Sequence, residues 1–128
     1  MTTKKILLIE DDLTLAEMYE MKLVMSGFLV RRSYTGKEAL KAIEKECPDL
    51  ILLDILMPEM DGFGLLKELK RAKNNTPVII LTNLGEAKAD ANLELAKSLG
   101  VKDYLIKSKH TPEDIVRKAE LVLQGKNW

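Results

Sequence analysis

Asp54 closes the apolar run Leu50–Leu53, and the turn residues Met57-Pro58-Glu59-Met60-Asp61-Gly62 follow close behind. A second acidic group, Glu10-Asp11-Asp12, closes the equally apolar run Ile6–Ile9. Short apolar runs that stop at turn residues read as strands buried on both faces of a parallel sheet. The carboxyl ends of such strands share one edge, where open α/β sheets hold their chemistry. Two more runs end on polar side chains at that edge, Thr82 after Val78–Leu81 and Lys107 after Val101–Ile106. Taken singly, Asp12 reads as a helix cap, Thr82 as a β-branched strand residue and Lys107 as a solvated end. Together they read otherwise, because carboxylates gathered in one crevice repel unless a cation or a lysine compensates them. A few hard oxygen ligands with open positions suit Mg2+. An aspartate beside such an ion can attack phosphorus and form an acyl phosphate. The metal and Lys107 then neutralise the phosphoryl oxygens, and Thr82 donates a hydrogen bond to one of them.

These positions need a scaffold, and the rest of the pattern supplies one. Ile6–Glu10 is the expected first strand. Asp12 caps a helix whose apolar positions Leu13, Ala16, Met18, Met21 and Leu23–Met25 recur near helical spacing until Gly27. Met18, Met21 and Met25 are expected in the core. Phe28–Ser33 is the second strand, and its Arg31 and Arg32 point to a sheet edge. Thr35-Gly36-Lys37-Glu38 is a capping box that opens a helix carrying Ala39, Leu40 and Ile43 inward. Pro48 blocks further helix, and Asp49 leads into the central strand. The third helix presents Phe63, Leu66 and Leu69 on one face, and Asn74-Asn75-Thr76-Pro77 turns the chain into Val78–Thr82. Glu86–Leu99 is an alanine-rich helix with little large apolar surface, expected to dock less firmly than its neighbours. Val101–Lys107 is the fifth strand, Ser108-Lys109-His110 a loop, and Thr111-Pro112-Glu113-Asp114 a helix start. Five strand–helix pairs make a doubly wound α/β domain, a five-stranded parallel sheet with helices on both faces. It is expected over residues 1–124, with 125–128 as a tail.

Composition narrows the partners. Lys+Arg and Asp+Glu both number 20 in 128 residues, so no global positive field draws the chain to nucleic acid or to an anionic membrane. No run is long enough to span a bilayer, and the first residues lack a cleavage-like site. Cys47 stands alone, so no intramolecular disulfide forms and a cytoplasmic location is expected. Next to Pro48, that thiol reads as a packing residue. His110 reads as a surface residue.

With the acidic pair, the run into Asp54 and the motif behind it, Thr82 and Lys107, the chain resembles the receiver domain of bacterial two-component response regulators. The resemblance covers nearly the whole chain and implies a flavodoxin-like sheet in the strand order 2-1-3-4-5. It implies Asp54 as the phosphoacceptor, charged by a histidine kinase or a phosphotransfer protein. It implies Mg2+ held by Asp11, Asp12, Asp54 and the backbone carbonyl of Leu56. Lys107 would pair with Asp54 and later with the phosphoryl group, and Thr82 would swing inward to bond that group. Tyr104 falls at the family's aromatic switch position, its ring turning between exposed and buried as Thr82 moves. The responding surface would be the fourth helix, fifth strand and fifth helix, read by a downstream protein partner or by an output domain outside this chain. Phosphorylation-dependent homodimerisation through that face is the assembly the resemblance implies. The chain carries no recognisable motif for DNA. On this reading it promotes its own phosphorylation and dephosphorylation but is mainly a signalling switch. Three departures stand out. Ser108 follows Lys107 where proline is usual and the peptide bond is often cis, which leaves the set of that loop open. Asn83 replaces a small residue. Leu56 and Leu84 replace polar residues that in some relatives assist the hydrolysing water, which predicts a longer-lived phosphorylated state.

Rival readings fare worse. Haloacid-dehalogenase-like phosphohydrolases also form an aspartyl phosphate, but they need a second acid two residues on, where Leu56 stands. A nucleotide site would need a glycine-rich loop after the first strand, not Glu10-Asp11-Asp12. The remaining alternative is a receiver-like protein-interaction scaffold that is not phosphorylated. Retention of Asp11, Asp12, Asp54, Thr82 and Lys107 weighs against it.

Overall fold

The five apolar runs become β1 Lys5–Ile9, β2 Leu29–Ser33, β3 Leu50–Asp54, β4 Val78–Thr82 and β5 Asp103–Ile106. All pair in parallel, in the order β2-β1-β3-β4-β5, so the arginine-bearing β2 is an edge strand. The computed structural model describes residues 3–55, 62–83 and 93–125. Its helices are α1 Leu13–Met25, α2 Gly36–Lys45, α3 Gly62–Arg71, α4 described over 93–98, and α5 Pro112–Leu123. Side chains alternate across a strand, so each strand feeds two cores. Ile6, Leu8, Leu50, Leu52, Leu81 and Leu105 pack with Ala16, Tyr19 and Leu23 of α1 and with Ile115, Val116 and Ala119 of α5. Leu7, Ile9, Ile51, Leu53 and Ile80 pack with α2, α3 and Ala96 of α4. Among the described residues no helix is long and apolar enough to cross a membrane.

Side-chain caps start the helices. Asp12 accepts from the Leu15 N–H at 3.1 Å, and Thr35 accepts from the Glu38 N–H at 3.1 Å. Glu38 reaches back one residue further than a capping box requires, accepting from Tyr34 N–H. Thr111 and Asp114 form the full reciprocal box, with Pro112 at the first helical position.

Several expectations need correction. The pairing of β1 ends at Ile9, although Glu10 N–H still donates to Ser33 carbonyl at 3.1 Å. Lys107 is not the last residue of β5. It opens a short 3-10 turn, Lys107–Lys109, whose bonds replace the sheet ladder there. Met18, Met21 and Met25 are exposed and lie outside both cores, because α1 is apolar on every side and the sheet and α5 cover only one. Cys47 is exposed too, since α2 ends at Lys45 and leaves the thiol in the loop, 3.2 Å from Thr76 Oγ1. Residues 84–92 lie outside the described residues, so the docking expected of Glu86–Leu99 is seen only in its final part.

Candidate functional site

Strand parity assembles the site. Continuing the alternation of Ile6 and Leu8 brings Glu10 to the α1–α5 side of the sheet edge. Leu50 and Leu52 bring Asp54 to the same side, and Leu105 brings Lys107. Lys107 Nζ lies 3.3 Å from Asp54 Oδ2 and makes a still closer ion pair with Glu10 Oε1. All three side chains are buried. Carboxylate oxygens of Glu10, Asp11 and Asp54 lie within 4.8 Å of one another, and exposed Asp11 opens the group to solvent. One lysine thus faces three carboxylates among the described residues. The donors are all hard oxygens and the charge is only partly compensated, which fits a hard divalent cation.

The cluster also shifts protonation. Burial, with a hydrogen bond to Asp54, pushes the Glu10 carboxyl up to about 7, against the opposing pull of Lys107. Burial works to lower Lys107, but Glu10 and Asp54 outweigh it and hold the ammonium above its ordinary range. Burial likewise raises the Tyr19 hydroxyl, which feels Lys107, Glu10, Asp54 and Asp12 from α1. A carboxyl that binds its proton more tightly when folded loses stability as pH rises from its unfolded value to its folded one. In chelator, melting temperature should therefore fall between the usual carboxylate range and about pH 7, then level off. Glu46, Glu113 and Asp114 are shifted downward and titrate below that window. Thermal melts across the window check this, and Glu10→Gln should flatten the slope.

The other expected residues divide. Asp12 is exposed and capping α1 rather than grouped with Asp54. Glu10, expected only as part of the acidic run, takes the place beside Asp54. Period-two alternation could have found it, since Asp12 already had a use as a cap. Thr82 is fully buried at the end of β4 on the Ile80 side, opposite to Asp54 in parity. Tyr104 is buried on that same side, and the register Ile80↔Tyr104, Thr82↔Ile106 makes it Thr82's diagonal neighbour. Among the described residues no peptide bond is cis, so the Lys107–Ser108 bond is trans. Asn83 is exposed. Leu56 and Leu84 lie outside the described residues.

The sequence model of the family described as "Response regulator receiver domain" matches residues 6–120. A probable transcriptional regulator, ycf27, of Guillardia theta is 32% identical over 126 residues, covering 98% of this chain and 48% of that protein. The transcriptional regulatory protein CpxR of Klebsiella pneumoniae subsp. pneumoniae (strain HS11286) is 36% identical over 124 residues, covering 97% and 51%. The crystal structure of a response regulator receiver domain protein (CheY-like) from Methanospirillum hungatei JF-1 matches with a TM-score of 0.87 at 27% identity, over 97% of this chain and 96% of that one. The chain spans about half the length of the curated relatives it matches.

Proposed function

This chain belongs to the response regulator receiver domain family of two-component systems, and we propose that Asp54 is its phosphoacceptor, charged by a histidine kinase or phosphotransfer protein. The observation that carries this reading is the buried Asp54 carboxylate, 3.3 Å from Lys107 at the strand end where Glu10 and Asp11 converge. An Asp54 Oδ bonds to phosphorus as the bond from phosphorus to the donor imidazole nitrogen breaks, and the electron pair leaves on that nitrogen. Lys107 passes from Asp54 to the arriving phosphoryl oxygens, while Glu10 keeps its ammonium anchored. Glu10, Asp11 and Asp54 would hold Mg2+, with the Leu56 carbonyl as the ligand the family resemblance adds. A bound Mg2+ supplies neutralisation of the phosphoryl charge. Asp12 contributes through its cap, which fixes the backbone beside Asp11.

The output follows from the other side of the sheet edge. Thr82 donates to the phosphoryl group, and its movement opens space that Tyr104, its diagonal neighbour, fills or vacates. The change is then read on α4, β5 and α5 by a downstream partner or output domain. The family resemblance adds a phosphorylation-dependent homodimer through that face.

The test is intact-protein mass after incubation with Mg2+ and acetyl phosphate, with the adduct located by peptide mapping. The expected result is one Mg2+-dependent, hydroxylamine-labile phosphoryl group on the peptide containing Asp54. An adduct on another residue overturns the assignment. No adduct together with no Mg2+ binding replaces the switch by a docking scaffold.

A further inference from the structure

At the amino-terminal ends of β4 and β5, the opposite end of the strands from Asp54, the surface folds into a cavity of about 450 Å3. Its floor is apolar: Leu66 and Leu69 of α3, Val78 at the start of β4 and Val101 just before β5, all buried. Its walls carry Lys70, Lys97 and Lys102, and among the described residues no acidic side chain lines it. Elsewhere on the surface lysines meet carboxylates, as Lys5 meets Glu46 and Lys22 meets Glu113. Lys70 instead donates to the Ser98 carbonyl at 3.2 Å, tying the end of α3 to the end of α4. Two helix carboxyl ends would ordinarily make such a place negative. Here both ends close on themselves. Asn74 N–H returns to the Leu69 carbonyl around Lys73, at φ 56°, and Val101 N–H returns to the Ala96 carbonyl around Gly100, at φ 82°. The positive charge of the lysines therefore prevails.

We propose that this cavity binds a small phosphate monoester with a flat apolar body, independently of Mg2+ and of Asp54. Its size falls within the roughly 300–1,000 Å3 of small-molecule sites. The charge selects the head group. Several ammonium groups with no carboxylate beside them suit a doubly charged phosphate better than a single carboxylate, and lysine binds phosphate as a point charge. The floor selects the body, because a flat apolar group laid on leucine and valine leaves water on both sides of the contact. The walls are also held in place before any ligand arrives. Asn74 Oδ1 accepts from the Thr76 N–H at 2.9 Å and from the Thr76 hydroxyl at 2.6 Å. Lys102 N–H donates to the Val78 carbonyl at 2.8 Å, which fixes the second wall on the first. Binding to walls already ordered costs little further ordering.

The cavity lies a strand's length from Asp54, so its test runs in chelator on the unphosphorylated full chain and leaves the phosphoacceptor reading untouched. The probe is 1-naphthyl phosphate, titrated into nitrogen-15-labelled protein and followed by amide chemical shifts. Saturable shifts are expected at residues 74–76 and 99–102, and not at Asp54 or Lys107. Inorganic phosphate and 1-naphthol, each carrying half of the ligand, should bind about tenfold or more weaker. Lys70→Met and Lys102→Met together should weaken 1-naphthyl phosphate about tenfold or more, since each removes a charged donor. Their melting temperature should stay close to that of wild type, because Lys70 is exposed and Lys102 half-buried. A lysine pair whose loss leaves the affinity unchanged overturns the proposal. So does inorganic phosphate binding as tightly as the ester, which reduces the cavity to a site for simple anions. No saturable shift at residues 74–76 and 99–102 up to about 1 mM also overturns it.

Discussion

Lys107→Met is expected to abolish nearly all phosphoryl uptake at Asp54 and to destabilise the protein above neutral pH. Methionine keeps most of the volume of the lysine stem and removes only the ammonium. That ammonium is buried, 3.3 Å from Asp54 and paired with Glu10. Removing one partner of a buried charge set leaves the others uncompensated, at a cost of about 3–5 kcal/mol. The sign of its pH dependence follows from Glu10, whose proton is held to about pH 7 even with the lysine present. Without Lys107 that proton is held more tightly still. At and below pH 7 a protonated Glu10 relieves the repulsion and the loss shrinks, whereas the full cost appears only at pH well above 7, once Glu10 has given up its proton. Urea denaturation on the two sides of neutrality measures the difference. Uptake from acetyl phosphate should fall about 100-fold or more, the usual effect of removing one preorganised partner of developing charge. A variant that keeps its uptake rate would show that the ammonium does not touch the phosphoryl group.

Gly62→Ala should damage the same site from behind. Gly62 opens α3, and its N–H donates to the Ile55 carbonyl at 2.9 Å, just past the end of β3. A Cβ there would stand 2.8 Å from Ile55 Cα and 3.3 Å from the Asp54 carbonyl oxygen. Those are backbone atoms, so no side chain can swing aside to make room. Overpacking of this kind costs about 1–3 kcal/mol. The strand end must also shift, and phosphoryl transfer falls steeply with small displacements of the reacting carboxylate. The variant should unfold at lower urea and take up phosphoryl groups more slowly, while keeping its far-ultraviolet dichroism. An unchanged urea midpoint would mean that α3 moves away from β3 without cost.

Much of this was legible in the chain itself. Apolar runs of strand length, each closed by a polar residue, determined the alternating α/β architecture and brought Asp54, Thr82 and Lys107 to one edge. Local signals of that kind survive folding because a fully buried strand and a capped helix leave few alternatives. Two kinds of feature did not survive. The partner of Lys107 is Glu10, 97 positions away in sequence, and only the successive pairing of β1 with β3, β3 with β4 and β4 with β5 brings the two together. Neighbouring acids compete for such a role: the sequence offered Asp12 both as the α1 cap and as a ligand, and the fold leaves it the cap while Glu10 turns inward. The methionines of α1 failed for a related reason. A helix that is apolar on every side carries no stripe to say which side meets the sheet. Its neighbours decided that Ala16, Tyr19 and Leu23 are covered and that Met18, Met21 and Met25 are left to solvent.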